Sequence, residues 1–294
     1  METDKHLTVI IPAYNEAKGI GEMLKELTEF SSDLPWHIFI INDGSNDETG
    51  TIVSQFSGVT LINHPYNKGY GAALKTGILA AETEYIAFYD ADGQHNPQDL
   101  LNLFENIKNN DMIIGERGKD SHQDWMRKPG KWVLSKTANF LTGRKIPDLN
   151  SGLRVIRRES ILNLLHLFPD GFSFSTTSTI AFMNMGLFVS YYPITVRKRV
   201  GSSTVKQIKH GSNTIMLILR LIVLFNPLKV FIPVSLITFG LGIFYEIYAG
   251  VLFHPNPPKL IPLAFFMLIT GVLIFFFGLV VDQISEMRKH QFRK

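Results

Sequence analysis

Residues 85–97 read YIAFYDADGQHNP, an apolar run that ends on two carboxylates separated by one alanine. Side chains two positions apart in an extended segment point the same way, so Asp90 and Asp92 can face one cation together. Gln94 can add a third oxygen, and the small Ala91 leaves room for a bulky group near the main chain. Such a stretch is typical of a site for Mg²⁺ or Mn²⁺ carrying phosphate groups. The alternative is an acidic turn after a strand, chosen only for turn propensity.

Strand-like and helix-like segments alternate over the first part of the chain. The predicted strands are continuous apolar runs, typical of strands buried on both faces, and comprise residues 7–12, 37–41, 60–62, 85–89 and 111–115. Helices are predicted between them, with Asn15 as the cap of the first and Ser45 or Asn46 as the cap of the second. This alternation predicts an α/β domain with a mostly parallel sheet.

Polar residues follow three of these strands, as PAYNE at 12–16, NDGS at 42–45 and DAD at 90–92. Ligands of such sheets bind beyond the carboxyl ends of the strands, so we expect the three segments to meet at one edge. The sequence has neither the glycine fingerprint of a dinucleotide fold after its first strand nor a P-loop. A Gly-x-Gly element at 69–71 has the wrong spacing for both motifs, and Lys75 beyond it either reaches a phosphate or is solvated.

Two apolar segments near the end of the chain, about 229–253 and 260–281, are long enough to cross a hydrocarbon core of about 30 Å. Basic residues lie before and after this hairpin, whereas the turn between the spans contains only Lys259. The positive-inside rule therefore predicts an integral membrane protein with the first domain and both termini in the cytoplasm. Glu246 lies within the first span, as either a functional group or a water-accessible interfacial residue.

The predicted domains are a cytoplasmic α/β domain at 1–205, an interfacial amphipathic helix at 206–228 and a transmembrane hairpin with a basic tail at 229–294. A third span is the alternative for the middle segment, but Arg220 and Asn226-Pro227 argue against it. The polar N-terminus leads into an apolar run too short for a signal peptide. The absence of cysteine excludes disulfides and thiolate metal sites, and a net charge of +3 is too small to imply a nucleic-acid partner.

Taken together, these motifs resemble the family-2 glycosyltransferases of the GT-A fold, and among them the polyprenyl-phosphate (dolichyl-phosphate) sugar synthases. The likeness covers nearly the whole chain in the family's order and is carried by residues 11–16, 42–45, 67–71, 90–95, 115–117, 148–154 and 225–228. The resemblance implies a GT-A nucleotide-sugar-binding domain with a Rossmann-like mixed sheet, followed by interfacial helices and a two-helix transmembrane hairpin.

The resemblance also implies roles for single residues. Those assigned to the nucleotide-sugar are Pro12, Ala13, Tyr14, Glu16, Asp43, Lys75, Asp90, Ala91 and Asp92. Asp90, Asp92 and Gln94 would hold Mg²⁺ or Mn²⁺, and Arg117 would hold a phosphate of the donor or the acceptor. The expected catalytic residues are therefore Asp90, Asp92 and Arg117.

The acceptor side departs from the family pattern at two places. Lys131 stands where a second arginine is usual, which keeps the charge but loses bidentate phosphate geometry. The Gly-x-Ser-Lys element is altered at 201–204, so Lys198, Arg199 or Lys206 would supply its charge. Asp148 and Arg154 are either acceptor-side residues or an internal salt bridge.

The implied activity is inverting transfer of a hexose from a UDP-glucose-like donor or GDP-mannose to a polyprenyl or dolichyl phosphate at the cytoplasmic membrane face. A lipid phosphate is largely anionic at neutral pH and needs little help from a general base, so we expect a single in-line displacement without a covalent intermediate. The alternatives are another lipid or polysaccharide acceptor, or a non-enzymatic membrane adaptor. A homo-oligomer is possible, since Gly240, Gly242 and Gly250 permit close helix contact.

Overall fold

A computed structural model describes residues 6–118, 128–171, 173–197, 210–253 and 261–291. The chain divides into two compact units, Met1–Thr214 and Ile215–Lys294.

The described part of the first unit contains one sheet of seven strands in the order β3-β2-β1-β4-β6-β5-β7. The strands are β1 Leu7–Ala13, β2 Trp36–Asn42, β3 Val59–Asn63, β4 Tyr85–Phe88, β5 Met112–Arg117, β6 Arg154–Arg157 and β7 Val189–Ile194. All neighbours pair in parallel except β6, which is antiparallel to both β4 and β5. The expectation of a mostly parallel sheet is therefore confirmed, and its two last strands were not predicted.

Helices cover both faces of this sheet. They are α1 Ile20–Phe30, α2 Thr49–Val53, α3 Tyr70–Ala80, α4 Pro97–Glu105, α5 Lys128–Thr142, α6 Arg158–Leu162 and α7 Phe174–Asn184. Helix α1 buries one stripe of residues at helical spacing, including Leu24 and Leu27. Helix α3 instead approaches β1 through Gly77, where an added Cβ would overlap the side chain of Ile10. A helix of small residues can thus lie close to the strand that ends at residue 13.

The predicted caps of the first two helices are wrong. Helix α1 begins at Ile20 after Gly19 and α2 begins at Thr49 after Glu48, in both cases without a side-chain cap. Asn15 adopts a left-handed backbone conformation with φ 56°, and its side-chain oxygen accepts from the N–H of Asn46 at 2.9 Å. These polar side chains are used to join the loops after β1 and β2, which lie side by side because the strands are parallel neighbours.

The second unit contains most of α8 His210–Phe225, together with α9 Leu228–Phe253 and α10 Pro262–Gln291. Segments Leu228–Ala249 and Pro262–Met287 have mean hydropathies of 1.9 and 2.7 and are long enough to cross a membrane. Their large apolar side chains are mostly exposed, including Leu236, Phe244, Leu273 and Phe276. Helix α10 extends ten residues beyond the predicted end of the second span at residue 281.

Small and polar residues bring α9 and α10 together. The Ser235 hydroxyl donates to the carbonyl oxygen of Gly271 at 2.8 Å, and an added Cβ at Gly271 would lie 2.8 Å from Cβ of Phe239. Glu246 accepts from the N–H of Ile261 at 3.1 Å, which satisfies a backbone donor at the start of α10. The structure therefore gives Glu246 a structural role in the hairpin.

Candidate active site

The loops after β2, β1 and β4 lie at one edge of the sheet. Strand β1 lies between the other two and runs parallel to both, which confirms the prediction that the three polar strand ends meet. The loops after β1 and β2 are linked directly, since Ser45 accepts from the N–H of Asn15, and the Tyr70 hydroxyl at the start of α3 donates to Asp90 after β4. This edge is where the sequence predicted a nucleotide-sugar and a metal.

Asp90 is held by groups from three separate segments. Its Oδ2 lies 3.3 Å from Nε2 of His95, its Oδ1 accepts from the Tyr70 hydroxyl at 3.3 Å, and Gly152 packs directly against the carboxylate. Burial acts to raise the pKa of Asp90, but hydrogen bonds from His95 and Tyr70 and the charges of His95 and Arg117 hold that pKa below its ordinary value. The carboxylate is therefore ionised at neutral pH, and about a third of the side chain is exposed.

Asp92 and Gln94, the other two predicted metal ligands, lie in the same turn as Asp90. Asp92 is buried and accepts from the N–H of Gln94 at 3.1 Å, while the Gln94 amide nitrogen donates to the carbonyl oxygen of Arg197 at 3.1 Å. The described residues contain no group of three His, Cys, Asp or Glu side chains able to hold a metal. Two carboxylates and one amide oxygen nevertheless suit Mg²⁺ or Mn²⁺, which fills its other positions with water and phosphate oxygens.

Arg117, at the end of β5, forms a bidentate ion pair with Asp148. Nε donates to Oδ2 at 2.6 Å and Nη2 donates to Oδ1 at 2.8 Å, so the remaining N–H groups of the guanidinium can still meet a phosphate. The hydrogen bond to Asp148 raises the pKa of Arg117. The predicted internal pair of Asp148 with Arg154 is not formed, because Asp148 is taken by Arg117.

Arg154 lies inside the protein, contrary to its expected place on the acceptor side. The residue is fully buried, and its guanidinium donates to the carbonyl oxygens of Ser151 and Ser175 and to the hydroxyls of Ser178 and Thr179. Burial lowers the pKa of Arg154. These neutral partners belong to helix α7 and to the loop before β6. Arg154 therefore joins that loop to α7 inside the protein and does not face a ligand.

Asp43 is also buried, although the sequence assigned it to the nucleoside. Its carboxylate lies 2.7 Å from Nδ1 of His64 and accepts from the N–H groups of Lys68 and Gly69 at 2.9 and 2.8 Å. Three internal partners occupy a carboxylate that is only 4% exposed. In this structure Asp43 fixes the loop before α3 and offers no open face to a base or ribose.

The Gly-x-Gly element and Lys75 serve contacts within the protein. An added Cβ at Gly71 would overlap the carbonyl oxygen of Pro169, and the N–H of Ala72 donates to the carbonyl oxygen of Asp170 at 3.0 Å. The Lys75 amine lies 2.7 Å from the carboxylate of Asp170. The chain at 169–171 thus packs against the Gly-x-Gly element, and Lys75 is paired with Asp170 and not simply solvated.

The other predicted nucleotide-site residues lie at the expected edge. Ala13 and Ala91 are buried, whereas Pro12, Tyr14 and Glu16 are half-buried. Lys198, Arg199 and Lys206 lie outside the described residues, and of Lys131 the structure describes only the backbone, within α5. Sequence analysis assigned no role to Tyr70, His95 or Gly152, the three residues that surround Asp90. His95 belongs to the stretch at 85–97, but nothing in the sequence marks Tyr70 or Gly152 as neighbours of Asp90.

The ion pair of Asp148 predicts a specific pH dependence of stability. Burial alone would raise the pKa of Asp148, but the hydrogen bonds and charge of Arg117 lower it overall. A depressed pKa in the folded state contributes stability above the ordinary carboxyl pKa, which is lost as the pH falls through the folded value. Asp148→Asn should therefore reduce the free energy of unfolding by about 2 kcal/mol at pH 7, and by progressively less from pH 5 to pH 3.

Urea unfolding of the full chain in detergent, followed by circular dichroism at several pH values, measures this difference. Asp170→Asn is the matched control, because Asp170 is 65% exposed and its pair with Lys75 should contribute little. A gap between wild type and Asp148→Asn that is the same at pH 7 and pH 3 would contradict the prediction.

Comparison with known proteins shows which family models the chain matches. The model of glycosyl transferase family 2 matches residues 8–165, more than half of the chain, and the model of the GtrB C-terminal hairpin matches residues 226–287. The match to the second model agrees with the hairpin formed by α9 and α10.

Similar proteins include enzymes named for lipid phosphates. A polyprenol monophosphomannose synthase of Mycolicibacterium smegmatis is 31% identical over 65% of this chain and 77% of its own. A dolichyl-phosphate beta-glucosyltransferase of Trichomonas vaginalis is 32% identical over 53% of this chain, and the match spans about half of that relative's length.

A solved structure shares the fold. Glucosyl-3-phosphoglycerate synthase from Mycobacterium tuberculosis, crystallised with Mn²⁺, UDP-glucose and phosphoglyceric acid, superposes with a TM-score of 0.57 at 17% identity, covering 74% of this chain and 79% of its own. The mixed sheet is thus a GT-A-like fold, followed by two helices apolar enough to span a membrane. The chain belongs to glycosyl transferase family 2.

Proposed function

We propose that this protein is a metal-dependent, inverting hexosyltransferase that uses a nucleotide-diphosphate sugar and a polyprenyl or dolichyl phosphate. The observation that carries this proposal is the pair Asp90 and Asp92 at the carboxyl end of β4, with the charge of Arg117 acting on Asp90. The names of the Mycolicibacterium and Trichomonas relatives favour a lipid phosphate as the acceptor. The apolar hairpin favours a reaction at a membrane surface.

Separate groups of residues would bind the nucleoside, the metal and a phosphate. Pro12, Ala13, Tyr14 and Glu16 border the donor nucleoside, and Ala91 leaves space beside the diphosphate. A divalent cation bound by Asp90, Asp92 and Gln94 would supply positive charge next to the departing nucleotide. Arg117 keeps its planar donors aligned through Asp148 and presents the remaining N–H groups to a phosphate.

The reaction needs no protein base. An oxygen of the anionic lipid phosphate attacks the anomeric carbon, and the bond from that carbon to the nucleotide oxygen breaks with its electron pair leaving on the nucleoside diphosphate. Attack opposite the leaving group inverts the anomeric configuration. The protein therefore has to position and neutralise two mutually repelling phosphate groups, and Lys131, Lys198 and Arg199 are the proposed cations on the acceptor side.

The membrane orientation is part of the same proposal. Basic residues lie on both sides of the hairpin and only Lys259 lies in its turn, which favours both termini and the catalytic domain on the cytoplasmic side. Nucleotide-sugars and the acceptor phosphate would then meet at the cytoplasmic face.

Sugar transfer to a short polyprenyl phosphate tests the function. Radiolabelled UDP-glucose, UDP-N-acetylglucosamine and GDP-mannose are supplied separately, each with Mg²⁺, Mn²⁺ or a chelator. We expect one donor to give a lipid-extractable product of opposite anomeric configuration, formed with either metal and lost with the chelator. Product that persists with excess chelator would refute the metal dependence. The absence of product with every donor, from protein shown to be folded, would refute the proposed reaction.

A further inference from the structure

The chain immediately after β7 is bound to the loop that carries the predicted metal ligands. The N–H of Arg197 donates to the carbonyl oxygen of Gln94 at 2.9 Å, and the Gln94 side-chain nitrogen donates back to the carbonyl oxygen of Arg197 at 3.1 Å. Two residues that are 103 positions apart in sequence are therefore joined by a reciprocal pair of hydrogen bonds.

This pair fixes which end of the Gln94 amide can meet a cation. A backbone carbonyl oxygen only accepts hydrogen bonds, so the end of the amide that faces Arg197 has to be the NH₂ group. The amide oxygen is then the end left for a metal. A carbonyl partner that orients a ligand in this way resembles the outer-shell contacts that tune known metal sites.

The Arg197 main chain is itself held from two further elements. Its guanidinium nitrogen Nη1 lies 2.8 Å from both carboxylate oxygens of Glu26 on α1. Two residues earlier, the N–H of Thr195 donates to the carboxylate of Asp99 in the first turn of α4 at 3.1 Å. The segment at 195–197 thus ties α1, α4 and the loop of Gln94 together.

The ion pair of Glu26 with Arg197 is too exposed to matter much for overall stability. The two side chains are 42% and 44% exposed, and exposed pairs of this kind contribute little to the free energy of unfolding. Its geometry, with one nitrogen between two oxygens, instead restricts where the Arg197 main chain can lie. An effect on the metal site can therefore be separated from an effect on folding.

We propose that Glu26 and Arg197 are positioning residues for the metal site, acting through the orientation of the Gln94 amide. The inference rests on the proposed function in that it takes Gln94 to be a ligand of Mg²⁺ or Mn²⁺. Loss of an outer-shell partner typically weakens metal affinity about 10-fold to 100-fold. Glu26 acts one contact further out and through an exposed ion pair, so Glu26→Ala should raise the dissociation constant of Mn²⁺ about twofold to fivefold.

The test is a double-mutant cycle on the full chain in detergent, with Mn²⁺ alone as the probe and free Mn²⁺ measured by electron paramagnetic resonance. The variants are Glu26→Ala, Gln94→Ala and the two together. We expect Glu26→Ala to weaken Mn²⁺ binding in the wild-type background and to have no further effect once the Gln94 side chain is removed. Glu29→Ala is the matched control, because Glu29 lies on the same helix and, among the described residues, pairs only with Lys25 at 4.0 Å on an exposed surface.

The possible outcomes separate this inference from the proposed function. Additive effects of Glu26→Ala and Gln94→Ala, an equal effect of Glu29→Ala, or no Mn²⁺ binding by the wild type would each overturn the inference. Sugar transfer is measured separately. If the wild type transfers sugar but the two mutations act additively, the proposed function stands and the positioning role is refuted. If the mutations are coupled but no sugar is transferred, the positioning role stands and the proposed function is refuted. Unchanged unfolding midpoints for both glutamate variants are expected if the effect is local.

Discussion

Asp92→Asn is expected to reduce kcat/KM for sugar transfer about 10³-fold or more, since even one lost electrostatic contact in an active site typically costs about 10²-fold to 10³-fold. Asp92 is buried, and its carboxylate accepts from the N–H of Gln94 within the same turn. Asparagine keeps the shape and an acceptor oxygen for that hydrogen bond, so the turn should persist. What it removes is one of two negative charges able to bind a divalent cation. The measurement is the initial rate of transfer to a polyprenyl phosphate with the donor found for the wild type.

A second Asp→Asn substitution, far from the candidate site, serves as the control for the change in charge. Asp33 lies on an exposed turn after α1, and Asp33→Asn should retain wild-type activity. Mn²⁺ affinity of Asp92→Asn should fall together with the rate, while circular dichroism and the unfolding midpoint stay near those of the wild type. Activity within tenfold of wild type would show that Asp92 is not required at the reacting centre, and would favour a metal-independent reaction or a different acceptor.

The part of the fold that could be predicted from sequence is the part determined by local pattern. Strands β1 to β5 are short apolar runs bounded by turn residues, and each was found close to its predicted position. Strand β6 contains Arg154, whose burial depends on acceptors in α7 that lie far away in the sequence. Strand β7 is only half-buried and resembles a surface segment. Their pairing on the far side of β4 is set by tertiary contacts, which no local periodicity reveals.

The candidate site shows the same division between features that local sequence predicts and features that tertiary contacts determine. Asp90 and Asp92 were predicted because they directly follow a strand whose end meets two others at one edge, and Arg117 was implied by the family resemblance. Asp43 was assigned to the nucleoside through the family resemblance, but its carboxylate is bonded to His64 and to the N–H groups of Lys68 and Gly69. Lys75 donates to the carboxylate of Asp170, a residue 95 positions further along the chain. A sequence pattern indicates which polar side chains reach an edge, whereas the partner that takes each of them is decided by loops from elsewhere in the chain.

Gly152→Ala is expected to reduce kcat/KM about 100-fold, because a shift of about 1 Å in a catalytic group can cost that much. An added Cβ at Gly152 would overlap Oδ2 of Asp90 and lie 2.9 Å from its Oδ1. Asp90 is bonded on its other sides to His95 and Tyr70. The methyl group therefore has to displace the carboxylate from its present partners, which should weaken Mn²⁺ binding as well as lower the rate.

The loop that carries Gly152 cannot easily retreat from Asp90 instead. Its members are fastened at three points: Asp148 to Arg117, Asn150 to the Thr176 hydroxyl at 2.7 Å, and the carbonyl oxygen of Ser151 to Arg154. Gly171→Ala is the control, since a Cβ there meets no described residue within 4 Å, and it should leave both the rate and the Mn²⁺ dissociation constant unchanged. If Gly152→Ala retained wild-type values of both, the carboxylate of Asp90 would have to be free to move without loss, and the close contact between this loop and the metal site would have no catalytic consequence.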